Sequence, residues 1–178
     1  MKKSVIGNLI MIFLLFASRL LLISNSADFF DATQYIRRVQ ELFWSSLTSG
    51  HPPFHPLYIA FGNIFYKILA SIGLNNAVIA ATLPSAIFGS LAIVVFYLFT
   101  KDIFNRKIAL LASILAAIMP FIWIFSITVL VDPAGLFFFL LAIYLYWLGL
   151  KDHQNKKKSN RNSSNIKSSP KPGWQFGV

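Results

Sequence analysis

Five stretches of this chain, residues 4–24, 54–72, 77–100, 108–131 and 133–150, are almost free of charge. Each is close to the ~20 residues that a bilayer crossing requires. In lipid such a stretch has to be helical, because every backbone N–H or C=O left unpaired there costs several kcal/mol. A helix at a soluble surface would carry a polar stripe, and these carry almost none. Composition agrees, with 12% of the 178 residues charged, against roughly 25% in soluble domains. The chain reads as an all-α integral membrane protein with about four to five hydrophobic helices, multi-pass in the cell membrane. Residues 1–150 form its membrane region and 151–178 a basic tail.

The net charge of +10 raises nucleic acid as a partner, so its distribution decides. The basic residues gather in Met1–Lys3, Lys101–Lys107 and from Lys151 to Lys171, at the flanks of apolar segments. That is the pattern of cytoplasmic loops under the positive-inside rule. No basic stripe interleaved with stacking aromatics marks a nucleic-acid surface, so no nucleic-acid partner is expected. Membrane lipids are. The absence of cysteine excludes disulfides, thiolate metal sites and a cysteine nucleophile.

Met1-Lys-Lys3 before an apolar run resembles a signal peptide, but the run extends about twenty residues and holds Arg19, whereas a signal core spans roughly 7–15. An uncleaved first span is expected. Residues 25–53 then form a polar loop, the first extracytoplasmic one if the amino terminus is inside. Within it, Asp31-Ala-Thr-Gln34 has the form of a capping box, with Asp31 at the N-cap and Gln34 at N3. Ile36, Val39, Phe43 and Leu47 follow on one helical face, with Arg37, Arg38, Glu41 and Ser45 largely opposite. This predicts an amphipathic interfacial helix that Ser49-Gly50 ends and Pro52-Pro53 blocks. After Lys151 the Lys, Asn, Ser and Pro content predicts disorder, since such a segment buries too little apolar area to offset its ordering entropy.

Candidate chemistry is confined to few residues. Asp28 and Asp31 lie in the first loop, His51 and His55 flank Pro52-Pro53, and Asp132 precedes Pro133. Each acid also has a plain role as a helix cap. The prolines between His51 and His55 remove the i, i+4 face that two metal ligands on one helix would share. Arg19 is expected to snorkel to the outer headgroups, or to meet a lipid phosphate.

In order along the chain, these features resemble the GT-C membrane glycosyltransferases, in particular the protein O-mannosyltransferase-like group. Asp31-Ala-Thr-Gln-Tyr35, Gly50-His-Pro-Pro-Phe-His-Pro-Leu-Tyr58 and the stretch from Pro120 through Val131-Asp132-Pro-Ala-Gly carry the resemblance, which covers about residues 5–150. It implies an inverting transfer of a sugar from a polyprenyl-phosphate-linked donor, on the extracytoplasmic face, to an acceptor that the sequence does not identify. It also implies Asp31 as the base or acceptor-positioning group and Asp132 as the second catalytic acid. Arg19, Arg37, Arg38, His51, His55 and Asp28 are the candidates for holding substrate or the departing lipid phosphate. Many relatives carry a carboxylate beside or soon after the first-loop acid, where this chain has Ala32 and Gln34. No cofactor is therefore certain, and a divalent metal stays open. Relatives are also several times longer, so the chain reads as a truncated N-terminal part. The competing expectation is a non-enzymatic multi-pass membrane protein, a transporter fragment or small assembly subunit.

The resemblance sets a topological condition. If all five apolar segments cross, Asp31 and Asp132 end on opposite faces. The positive-inside rule wants Met1–Lys3, Lys101–Lys107 and Lys151–Lys158 on one side. That demands one net crossing between residues 54 and 100, and it predicts that segment 54–72 does not fully cross; a re-entrant fourth segment broken at Pro120 would also restore parity, but would leave Lys101–Lys107 outside.

Overall fold

The structure is a computed structural model that describes residues 2–27, 29–41, 44–45 and 55–168. Seven helices are assigned among the described residues: α1 (Lys2–Leu20), α2 (Phe30–Val39), α3 (Pro56–Ser71), α4 (Ala77–Ile103), α5 (Arg106–Ile118), α6 (Pro120–Ile127) and α7 (Asp132–Ser168). Those residues include no strand. Two compact units divide the chain, Met1–Leu141 and Ala142–Val178.

Within the first unit, α4 is the element on which the others pack; α1, α2, α3, α5 and α6 all contact it. Its start is fixed by Asn76, whose side chain accepts from the Ile79 N–H at 3.0 Å. Ala77, Ala81, Ser85 and Gly89 follow at intervals of four along one face and are buried. Small residues in that register let neighbouring backbones approach closely. At Gly89 the approach is tightest, since an added Cβ would collide with the Ser126 side chain of α6.

Direction is read from contacts along α4. Asn76 donates to Asn25 after α1, and Ser24 N–H donates to the Ile127 carbonyl at the end of α6. At the other end, Tyr97 of α4 and Arg106 of α5 share a cleft with Gly7 and Met11 of α1. So α1 and the α5–α6 pair both run antiparallel to α4. The ends that precede Asp31 and Asp132 lie beside the first half of α4.

The fourth apolar stretch, 108–131, is broken. Pro120 has no N–H to donate and its ring clashes with the preceding turn, so α5 stops at Ile118 and α6 leaves at 60°. Buried Arg19 bridges the break. Its guanidinium donates to Leu15 O and to Ala117 O at 3.1 and 3.3 Å, and lies 4.9 Å over the Trp123 ring. The expectation that Arg19 snorkels to headgroups is corrected: its side chain is fully buried. A cation at the last carbonyls of α5 gains from the helix dipole, and the indole face adds a cation–π contact.

Helix α3 packs against the first part of α4. Tyr58 reaches Ala81 and Ser85, and a Cβ added at Gly62 would lie 3.7 Å from Ala80 O. A turn through Gly73, at φ 82°, then returns the chain to Asn76. With 16 residues, α3 is about 24 Å long, short of the ~30 Å hydrocarbon core. Of the five apolar segments, those in α4 and α7 give helices long and apolar enough to cross a membrane, and α5 with α6 qualifies as a bent pair.

Further differences from the sequence reading concern helix ends. Asp31 is not an N-cap: Phe29 holds that place without a side-chain bond, and Asp31 falls in the first turn of α2. Asp132 likewise lies inside the first turn, because Val131 O accepts from Ala134 and Gly135 N–H. The amphipathic helix ends at Val39 instead of running to Ser49; Phe43 and Leu47 lie outside the described residues. In the second unit, helix continues through Ser168 where disorder is expected. A preformed helix needs no new nucleus, and Asp152 and Lys156, 2.7 Å apart at i, i+4, favour its extension.

Candidate functional site

Tyr35 is the centre of the cluster beside the first half of α4. On α2, Asp31, Tyr35 and Arg38 follow at i, i+4 and i+7, which places them on one helical face. Ala32, Tyr35 and Val39 are buried in a core with Tyr58 and Ile59 of α3, Ala77 and Ala81 of α4, and Val129. The Tyr35 ring lies 5.3 Å from that of Tyr58 and 6.2 Å from that of His55. Its phenol is pushed up from the usual tyrosine range by burial first, then by the negative charges of Asp31 and Asp132, with Arg38 opposing. Both acids therefore act on one phenol although a hundred residues separate them.

Asp132 is brought there by a hydrogen-bonded relay. Tyr58 Oη donates to Ala81 O at 2.7 Å and lies 2.8 Å from Ser85 Oγ. Ser85 Oγ donates to Leu130 O at 2.7 Å, and Leu130 N–H returns a bond at 3.3 Å. This pins the segment that enters α7 to both α3 and α4. Asp132 is exposed and borders a cavity of about 120 Å³ with Gly89, Phe125 and Ser126. On the other side of the α7 start, His55, Tyr58, Phe88, Ala134 and Phe138 border a cleft of about 210 Å³. Each acid occupies a helical first turn, the positive end of the helix dipole, which favours an anion.

The remaining candidates separate. Arg38 is buried and within electrostatic reach of Tyr35. Arg37 points away, its side chain 79% exposed and 3.9 Å from Glu41, a pair of the kind worth little in water. Arg19 stands at the α5–α6 break, apart from this cluster. Asp28 and His51 lie outside the described residues. Among the described residues, no three His, Cys, Asp or Glu side chains converge as a metal site would require, and no step is routed through a metal. Sequence reasoning missed Tyr35, Tyr58 and Ser85 as parts of the site. The two tyrosines stand in the quoted motifs, whereas Ser85 carries no local signal in its apolar helix.

Comparison with curated proteins and with solved structures returns no match. A family model described as dolichyl-phosphate-mannose-protein mannosyltransferase matches residues 50–158, more than half of the chain. The match takes in His55, Tyr58, Ser85 and Asp132, and begins after Asp31. With a hydrophobic helical body and one cluster of acids and aromatics behind it, the chain belongs to the dolichyl-phosphate-mannose-protein mannosyltransferase family of membrane glycosyltransferases.

Proposed function

We propose that this chain contributes the acid-bearing part of a transferase that moves a sugar from a polyprenyl-phosphate donor to an acceptor hydroxyl on the extracytoplasmic face. The observation that carries this reading is geometric: Asp31 lies in the first turn of α2 and Asp132 in the first turn of α7, and the Tyr35–Tyr58 ring contact and the Tyr58–Ser85–Leu130 relay join the two elements. The length of α3, 16 residues or about 24 Å, supports it, because a non-crossing α3 puts both acids on one side of the bilayer. The basic cluster at Lys101–Lys107 follows the far end of α4 and orients that end inward.

Asp31 takes the proton of the acceptor hydroxyl as its oxygen attacks the anomeric carbon. The bond from that carbon to the phosphate oxygen breaks, its electron pair stays on the lipid phosphate, and one displacement inverts the centre. Asp132, in the first turn of α7, holds the acceptor or the sugar. Arg38 is the best placed of the cations for the departing phosphate, because it shares a face with Asp31. The cleft between His55 and Phe138 presents aromatic faces suited to a sugar ring. Arg37 and Arg19 recede from the list, the first by exposure and the second by its tie to Ala117.

The test is sugar transfer by membranes that hold the complete protein, with a polyprenyl-phosphate mannose donor. Asp31→Asn is expected to lower the rate by about 10²–10⁴, the usual weight of a positioned base. Unchanged transfer by both Asp31→Asn and Asp132→Asn would favour the non-enzymatic reading.

A further inference from the structure

A cavity of about 350 Å³ lies towards the end of α4 away from Asp31 and Asp132. It is a furrow between α1, α4 and α5, walled by Ile10, Leu14, Ile93, Leu110 and Ile114. Small residues open it: Gly7, whose added Cβ would meet nothing within 4 Å, and Ser113 and Ala117 on α5. Among the described residues that line it, the cation is Arg106, exposed at the start of α5. Lys107 follows in sequence, and Lys101 sits 5.6 Å over the Tyr97 ring that also lines the furrow. From Arg106 to Ala117 the furrow follows eleven residues of helix, about 16 Å. The polar mouth and apolar length match the headgroup and tail of one lipid.

We propose that this furrow holds a resident anionic glycerophospholipid, one acyl chain along α1 and α5 and the phosphate at Arg106. Charge selects the headgroup, since a basic side chain at the membrane surface favours an anionic lipid over a zwitterionic one. The site is not that of a sugar donor at work. Asp132 borders a cavity with Gly89 of α4, and a phosphate at Arg106 lies beyond the end of that helix at Ile103, fourteen residues or about 21 Å further along. The proposal stands independently of the transfer reaction.

The complete protein, reconstituted in phosphatidylcholine vesicles, is cross-linked to a trace of phosphatidylglycerol that bears a photoactivatable acyl chain, and the labelled peptides are mapped. Labelling is expected on Gly7–Leu15 and Leu110–Ala117. Exposed Arg106, changed to Gln, should lower it about fivefold, while Lys107→Gln, an equal loss of charge outside the furrow, should leave it within about twofold. Equal labelling by a photoactivatable phosphatidylcholine, or an equal loss with Lys107→Gln, would overturn the proposal in favour of bulk lipid contact. Absence of label on both segments would overturn it too, and would show the furrow covered by protein.

Discussion

The hydroxyl oxygens of Tyr58 and Ser85 lie 2.8 Å apart, and through Ser85 the α3 helix is tied to the carbonyl of Leu130, two residues before Asp132. The two hydroxyls have one proton each for three contacts, so with Ser85 donating to Leu130 O the Tyr58 proton is shared between Ala81 O and Ser85 Oγ. This relay fixes Leu130, and the first turn of α7 fixes Val131, the two residues through which the chain enters Asp132.

Ser85→Ala leaves Leu130 O, and part of the Tyr58 contact, without a partner in a buried place. The expected cost is about 1–3 kcal/mol, read as a lowered unfolding midpoint in detergent. Transfer should fall further than stability does, because the Asp132 segment loses its register. Tyr58→Phe removes one donor from the same relay and should act in the same direction, more mildly.

Gly89→Ala tests the closest helix contact. The new methyl would meet the Ser126 side chain, whose Cβ lies 2.7 Å from its position. Overpacking of this kind costs about 1–3 kcal/mol. Gly7→Ala meets open space and should be close to neutral in the same melting assay.

Arg19→Ala removes the donor to Ala117 O and the cation over Trp123. A loss of about 1–3 kcal/mol is expected, with Arg19→Lys recovering only part, since an ammonium lacks the planar fork. A normal melting curve for Arg19→Ala, together with a weakened response to donor concentration, would return Arg19 to the role of phosphate ligand.

The raised Tyr35 phenol makes a pH prediction. The folded state binds this proton more tightly than the unfolded state, so the contribution is fully present below about pH 10, the unfolded value. It is lost as pH rises through the raised folded value. Tyr35→Phe should therefore flatten the alkaline loss of stability. Asp31→Asn should shift the onset of Tyr35 ionisation downward, since it removes one of the two charges that hold it up. The measurement is tyrosinate absorbance during alkaline titration, compared between the parent and the variants.

Much of this was written in the chain at the level of segments. Charge-free runs marked the apolar helices, whereas the fourth is divided by a 60° bend at Pro120 that the uniform run conceals. Helix ends were less legible. Asp31 has the right residue type for an N-cap, yet packing of Tyr35 and Val39 on α3 and α4 draws Phe30 and Asp31 into α2, and tertiary burial outweighs a local cap. Arg19 was misjudged for a similar reason. Its position near the end of an apolar run suits snorkelling, and only the carbonyls freed by Pro120, about a hundred residues on, give it a buried partner. Ser85 is one hydroxyl in an apolar helix, and its role exists only once Leu130 is beside it.

The central claim is that Asp31 and Asp132 face the same side of the membrane. The chain has no cysteine, so single cysteines at Thr33, Asn75 and Asp132, with Asn105 as the opposite-side reference, report sidedness directly; all four positions are exposed. Intact cells are treated with a membrane-impermeant maleimide, before and after permeabilisation. Labelling of the first three in intact cells, with Asn105 reached only after permeabilisation, is the predicted result. Protection of the cysteine at Asp132 until permeabilisation, with Thr33 already labelled, would contradict the account, because the two acids could then never meet one substrate.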